Sequence, residues 1–332
     1  MPTDIGNSAP ITIVDDYVPV INLSSKHTTD GRAAIAQAIG TACETSGFFV
    51  IAEHGVTPEL IDRMYATTLE FFQLPRAEKD RVLATSATGG LRYQAGSAAK
   101  SIGHDTPTDL CEIFSCNVLG DRHPEFLAQF GDDTMPWTRS NLWPRTPAGF
   151  RETWSEYADA MERLAADLME LFALALGLDR GFFADKIDQH ISTIVANYYY
   201  PPTGAPLPGQ LRKGAHTDWG SLTILYQDDI GGLQVRHGDN WQDVPFVPGS
   251  FVINIGDMMA FWTGGRWVST MHRVCNPPQG ASNARVSIPF FHLPNHDAQI
   301  EPLPRLRSVE EESGSGTTPG QWYQEKMAAI YS

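Results

Sequence analysis

Two histidines, one aspartate and one arginine carry the chemistry this sequence suggests. The segment GAHTDWGSLTIL places His216 and Asp218 on either side of a single threonine. In a β-strand the side-chain period of two turns that imidazole and that carboxylate to the same side. A third ligand is expected from STMHRV, where His272 falls on a later predicted strand. Two imidazoles and one carboxylate on one face of a metal ion leave its other positions open, whereas four protein ligands would close them. An isolated H-x-D is common by chance, and the remaining histidines are read as packed or surface residues.

That ligand set is the one used for oxygen chemistry at non-haem Fe(II). The cosubstrate is suggested by Arg285 and Ser287, which again share one side of a predicted strand, RVSIPFFHL. A guanidinium fork binds a carboxylate through two parallel hydrogen bonds, and a serine hydroxyl adds a donor. A diacid such as 2-oxoglutarate needs an anchor at each end: its keto-acid end on the iron and its far carboxylate on a cation deeper in the protein. Flanking Arg285 with Val286, Ile288, Pro289, Phe290 and Phe291 implies burial, and a buried arginine requires a partner. The run Tyr198-Tyr199-Tyr200 precedes the H-x-D strand, and Tyr200 is a candidate for a hydroxyl on the same carboxylate. Candidate substrate contacts are Arg92, Tyr93, Phe114 and Trp262, with core packing the default for the three aromatic residues. Trp219 directly follows Asp218, so it is expected to face away from the ligands and pack.

These side chains must be held by a β-rich second half. From Ile191 to about Leu293 short runs such as ISTIVANYYY, SLTILYQ, GLQVRH, WQDVPF, SFVINIG, MMAFWTG, VSTMHRV and ARVSIPFFHL alternate with Gly, Pro, Asn and Asp. That is the pattern of an antiparallel sandwich or jelly roll. The first half reads differently. VPVINL and GFFVIAEHGV are strand candidates, helices are expected over 31–45 and 58–73, and residues 76–100 read as loop. The longest helix is expected over 147–177, where Trp154, Tyr157, Met161, Leu164, Leu168, Leu171 and Leu174 recur at three- and four-residue steps. Short helices are expected over 180–190 and 319–332, with a loop at 308–318. The expected architecture is mainly β with flanking helices: a double-stranded β-helix, or cupin-like jelly roll. It divides into a helix-rich region at 1–190, a core at 191–300 and a C-terminal loop and helix at 301–332, packed as one unit.

Composition narrows the function classes. The formal net charge is −15 and no Lys/Arg cluster is evident, which argues against nucleic acid as a partner and favours a small-molecule substrate. No apolar run reaches the roughly 20 residues that span a bilayer, and the N-terminus lacks a basic and apolar leader. The four cysteines Cys43, Cys111, Cys116 and Cys275 match no common metal motif and read as free thiols in a reducing cytosol, so a cytoplasmic location is expected. Oligomeric state is not legible.

VPVINL, GFFVIAEHGV, NYYYPP, GAHTDWGSLTILYQDDIGGLQV, INIGDMMAFWTGG, STMHRV and RVSIPFFHLPN together resemble, nearly end to end, the isopenicillin N synthase-like group of Fe(II)/2-oxoglutarate oxygenases. The resemblance implies a double-stranded β-helix, His216, Asp218 and His272 as iron ligands, and Arg285 with Ser287 as the 2-oxoglutarate clamp. It also implies O2 as cosubstrate, release of succinate and CO2, and hydroxylation, desaturation or ring closure of a small molecule, in specialised metabolism. Tyr200 falls where the group often places a tyrosine on 2-oxoglutarate. Plant members carry Asn two residues before that tyrosine, where this chain has Tyr198. Three alternatives stay open: an oxidase of the same fold that needs no 2-oxoglutarate, a non-catalytic binding protein on the same scaffold, and a zinc hydrolase using the same three ligands.

Overall fold

The computed structural model describes residues 11–12, 17–83, 93–97, 107–119, 125, 128, 136–138, 140–201, 204–278, 283–303 and 316–331. Two sheets face each other across an apolar interior, and helices cover the outer face of the larger sheet. The first half supplies strands β1 (Ile11–Thr12), β2 (Val20–Asn22), β3 (Phe48–Ala52), β4 (Gln94–Ser97) and β5 (Asp109–Asn117). The second half supplies β6 (Thr193–Tyr199), β7 (Lys213–His216), β8 (Leu222–Gln227), β9 (Leu233–His237), β10 (Asn240–Asp243), β11 (Phe251–Ile255), β12 (His272–Val274) and β13 (Arg285–His292). The larger sheet runs β1-β2-β3-β11-β8-β13-β6-β5-β4 and the smaller one β10-β9-β12-β7. This is a jelly roll, not a closed barrel. Residues 1–190 and 191–300 do not separate into helices and strands, because β3 pairs with β11 and β5 with β6 in one sheet.

The first two helices form where capping and periodicity agree. α1 (Thr29–Thr45) is capped by Thr28, whose hydroxyl accepts from the Gly31 N–H. α2 (Pro58–Gln73) is capped by Thr57 and starts with proline, whose missing N–H costs nothing in a first turn. α3 (Arg76–Lys79) is one turn inside the stretch expected to be loop, a stretch that also yields β4. α4 (Phe150–Ala175) buries Trp154, Tyr157, Met161, Leu164, Leu168 and Leu171, the stripe visible in the sequence, while Leu174 at its end is half-buried. Only α5 (Ala184–Ile187) forms within 180–190. α6 (Asp257–Trp262) replaces the strand expected at MMAFWTG, with Met258, Met259 and Trp262 buried. A short apolar run has no length over which the two periods can be told apart, and here packing decided for the helix. α7 (Pro319–Tyr331) closes the chain; most of the loop expected at 308–318 lies outside the described residues.

Alternation along the larger sheet sorts its side chains into two cores. Phe49, Ile51, Phe114, Ile224, Ile253, Val286, Ile288 and Phe290 join the helices in one cluster. Val20, Phe48, Val50, Cys111, Tyr199 and Val252 turn the other way and meet Leu233, Val235 and Val274 of the smaller sheet. The second cluster is the jelly-roll interior.

His292 ends β13 fully buried, its Nδ1 sharing a hydrogen bond with the Ser221 hydroxyl at 2.7 Å. Burial, and then His190 beside it, lowers its pKa well below the usual imidazole range. His190 in turn faces Glu162, with Nε2 at 3.1 Å from Oε1. Below about pH 6.5 the unfolded chain therefore binds a proton at this position that the folded chain does not. Stability rises with pH through that window and is lost as pH falls, by about 1.4 kcal/mol per pH unit. Comparing urea unfolding at pH 7 and pH 5, we expect His292→Asn to lose about 2 kcal/mol less than the parent chain. Equal losses would show that His292 is protonated in the folded state.

Candidate active site

β7 stops at His216, so Asp218 lies just past the strand rather than within it. The two side chains converge nonetheless, because the loop after β7 is fixed on both sides. Gly220 sits against the His292 carbonyl so closely that a Cβ would lie 2.3 Å from that oxygen. The Asp218 carbonyl accepts the Asp257 N–H at 2.7 Å, and the Trp219 carbonyl accepts the Met258 N–H at 3.2 Å. His272 opens β12 and stands directly across from His216 in the antiparallel register.

His216, Asp218 and His272 offer one ligand atom each, all within 4.8 Å of one another. Asp218 Oδ1 lies 3.9 Å from His216 Nε2 and 3.7 Å from His272 Nε2. The far side of each ring is already committed. His216 Nδ1 meets the Gly214 carbonyl at 2.8 Å, and His272 Nδ1 meets the Thr270 carbonyl at 3.1 Å. A carbonyl only accepts, so both Nδ1 atoms carry hydrogen and each Nε2 is the ring nitrogen left to ligate. The outer oxygen of Asp218 is likewise used: Oδ2 accepts from Thr223 Oγ1 at 2.5 Å and from Asn254 Nδ2 at 2.7 Å. Three electron-pair donors thus aim at one spot, an arrangement that suits a divalent cation and that neutral packing does not explain.

Electrostatics points the same way. Burial, then the neighbouring His272, pushes His216 far below the ordinary imidazole range, so the ring is neutral and able to ligate. Burial alone would raise the Asp218 carboxyl, but His272, His216, Asn254 and Thr223 outweigh it and hold the group below its ordinary value.

The opposite end of the interior holds a buried cation. Arg285 is 1 % exposed, donates Nη2 to Gln227 Oε1 at 3.3 Å, and leaves Nε and Nη1 without a partner among the described residues. Leaving buried charged donors unpaired costs several kcal/mol, so the pocket fits an anion held in a fork. On β8, Thr223 touches the metal end and Gln227 the arginine end, on the same strand face. Four residues of strand span about 13 Å, which sets the separation of the two ends along β8.

Tyr199, not Tyr200, shares this face. It pairs with Arg285 across β6 and β13, its ring lies 5.1 Å from the guanidinium carbon, and its hydroxyl meets Ser287. Tyr200 has the opposite parity and meets Glu112 on the helix side. The asparagine motif therefore reads Asn197-x-Tyr199, and Tyr198 is no departure from it. Lys213 adds a second cation beside Tyr199, paired with Asp109 at 3.1 Å.

The other substrate candidates do not reach the site. Tyr93, Phe114 and Trp262 are buried in the helix-side core, Phe114 against Phe71, Phe150 and Trp154 and Trp262 against Phe183. Arg92 lies outside the described residues. Trp219 turns from the ligands to Tyr323 of α7, with ring centroids 5.7 Å apart. Sequence reasoning missed Thr223, Asn254 and Gln227. Their signal was polarity on strands otherwise apolar, since a buried polar residue needs a partner.

Comparison with known proteins agrees with this geometry. Residues 191–294 match the model of the 2OG-Fe(II) oxygenase superfamily, and residues 18–146 match that of the non-haem dioxygenase in morphine synthesis N-terminal region. Validamycin A dioxygenase of Streptomyces hygroscopicus subsp. limoneus is 34% identical over 297 residues, covering 86% of this chain and 79% of the relative. The chain belongs to the 2OG-Fe(II) oxygenase superfamily. Homoarginine-6-hydroxylase 2-ODD-233 of Oryza sativa subsp. japonica is 31% identical over 306 residues, covering 89% of this oxygenase and 88% of the relative. A full-length Neurospora crassa protein solved in complex with alpha-KG superposes with a TM-score of 0.82 at 26% identity, over 96% of this chain and 99% of that one. The protein is thus a 2-oxoglutarate-dependent dioxygenase, and its cofactors are Fe(II), 2-oxoglutarate and O2. Among the described residues no helix is long and apolar enough to cross a membrane.

Proposed function

We propose that this oxygenase oxidises an unactivated C–H bond of a small organic molecule, by hydroxylation in the first instance, in cytoplasmic specialised metabolism. In this reading His216, Asp218 and His272 hold the iron, and Arg285, Ser287 and Tyr199 hold the far carboxylate of 2-oxoglutarate. The observation that carries it is the pairing of an open-faced His-Asp-His cluster with a buried arginine whose Nε and Nη1 have no partner among the described residues. When bound, the iron with 2-oxoglutarate and O2 supplies the oxidising power, and succinate and CO2 leave.

The chain's own residues orient and exclude. The Gly214 and Thr270 carbonyls fix the imidazole tautomers, and Thr223 with Asn254 keeps one Asp218 oxygen facing the metal. Leu233, Val235, Val252 and Val274 keep water from the interior. Phe291 lies across from Thr223 in the β13–β8 register, on the same strand face as Arg285 and Ser287. It is half-buried and packs against the cluster of Leu119, Trp137, Ile191 and Leu293, so an apolar wall borders the metal end, suited to an organic substrate. The name validamycin A dioxygenase on one relative and hydroxylase on others favours a metabolite substrate and a hydroxylated product. Free thiols at all four cysteines accord with a reducing compartment.

The test is substrate-triggered succinate release by the full chain across a metabolite library, with 18O2 to follow oxygen into product. Succinate that appears with one compound, together with labelled product, supports the reading. O2 uptake without 2-oxoglutarate would make the protein an oxidase, and turnover under nitrogen would make it a hydrolase.

A further inference from the structure

The C-terminal helix is joined to both segments that carry the His-Asp-His cluster through one carboxylate, that of Asp257. Asp257 Oδ2 accepts from Thr217 Oγ1 at 3.2 Å, and Thr217 is the residue between His216 and Asp218. Asp257 Oδ1 accepts from Ser269 Oγ at 2.7 Å, on the segment that leads into Thr270 and His272. From α7, Lys326 Nζ reaches Asp257 Oδ2 at 2.7 Å. The same helix donates Trp322 Nε1 to the Trp219 carbonyl at 3.0 Å, one residue past Asp218. Lys326 and Trp322 are held together, the ammonium 5.2 Å from the indole centroid, and Trp322 packs on Phe261 of α6 at 5.8 Å.

We propose that Lys326 is a positioning residue for the metal: by neutralising and fixing Asp257 it sets the spacing between the His216–Asp218 loop and the His272 segment, and so controls how tightly the metal is kept. This rests on the reading of His216, Asp218 and His272 as the metal ligands. The C-terminal helix, the His216–Asp218 loop and the segment before His272 all meet at this carboxylate, whose two oxygens accept from two hydroxyls and one ammonium. Without Lys326, a half-buried charge loses its cation and turns toward solvent. Thr217 and Ser269 then lose a fixed common acceptor, and the two ligand-bearing segments rest on the β7–β12 pairing and the backbone bonds of the loop after β7. Outer partners that hydrogen-bond metal ligands are worth about 10–100-fold in metal affinity, and Lys326 reaches the ligands through Asp257 and the residues beside them, so a loss near the lower end is expected.

The test uses the full-length metal-free protein with Mn(II) as an O2-insensitive probe, followed by electron paramagnetic resonance. Lys326→Met should weaken Mn(II) binding about 10-fold, and Lys326→Arg should restore most of it. Ser269→Ala should weaken binding by itself, and combined with Lys326→Met it should add less than its separate effect, because both act through Asp257. Wild-type affinity in Lys326→Met, or strict additivity of the pair, overturns the inference. Should Lys326→Met not fold, Lys326→Gln decides: unchanged affinity overturns the inference and weakened affinity supports it. Asp218→Asn serves as the separate control. If it binds Mn(II) like the parent, the ligand reading itself has failed; if it does not while Lys326→Met binds normally, only the role of Lys326 has failed.

Discussion

Replacing Asp218 by asparagine should abolish metal retention and 2-oxoglutarate turnover while leaving the fold intact. The argument comes from the two donors on its outer oxygen. Thr223 Oγ1 and Asn254 Nδ2 both present hydrogen to Oδ2, so an asparagine at this position must place its carbonyl oxygen there. Its amide NH2 then occupies the position of Oδ1 and points two hydrogens at the spot that His216 and His272 also face. An amide nitrogen of this kind has no lone pair to give. Volume and the buried hydrogen bonds survive, and a buried charge is removed, so unfolding is expected to change little. Losing an outer partner alone costs about 10–100-fold in metal affinity. Losing the carboxylate itself should exceed about 100-fold, read as Mn(II) or Fe(II) affinity and as succinate formed. Parent-like metal affinity in Asp218→Asn would falsify the assignment of this residue.

Arg285→Met should have opposite effects on stability and on cosubstrate binding. Arg285 is buried with two donor nitrogens unpartnered among the described residues, and a buried unsatisfied group costs about 1–3 kcal/mol. Methionine of similar reach removes that cost. Asp228 nearby retains its backbone donors, Val286 N at 2.6 Å and Ile230 N at 3.3 Å. The variant should therefore melt a few degrees higher than the parent without ligand. The diacid, however, loses its buried cation. Breaking a buried charge pair costs about 2–5 kcal/mol, which is about 30-fold to several thousand-fold in Kd. Calorimetric titration with 2-oxoglutarate and melting with and without it measure both effects. Loss of the ligand-induced stabilisation together with a raised ligand-free melting temperature is the expected pair. A variant that still binds 2-oxoglutarate tightly would move the far carboxylate to Lys213 or another cation. Arg285→Lys should recover only part of the affinity, because an ammonium cannot make the two parallel bonds of the fork.

Much of this was legible in one dimension. The H-x-D pair, the later histidine and the R-x-S pair could be picked out because each is a local pattern with a chemical reason. The helices over α1, α2 and α4 were visible because apolar residues recur at helical spacing, with Pro58 suited to the first turn of α2. Short elements were not, and α6 was read as a strand because six residues cannot display a period. Tyr200 was preferred over Tyr199 because three consecutive tyrosines look alike until the partner strand fixes which face is inward. Tyr93, Phe114 and Trp262 were offered as substrate contacts, and the sheet assigns them to its other side.

What the sequence determined by itself was the set of reactive groups, since ligand type and local spacing are properties of the chain. What tertiary structure decided was how those groups are held and faced. Thr223, Asn254 and Asp257 acquire their roles only where distant strands, a short helix and the C-terminal helix meet. Such contacts depend on register and crossing, which no local pattern encodes. The direction of a lone pair is likewise set by the carbonyl or hydroxyl across the gap, and not by the residue that bears it.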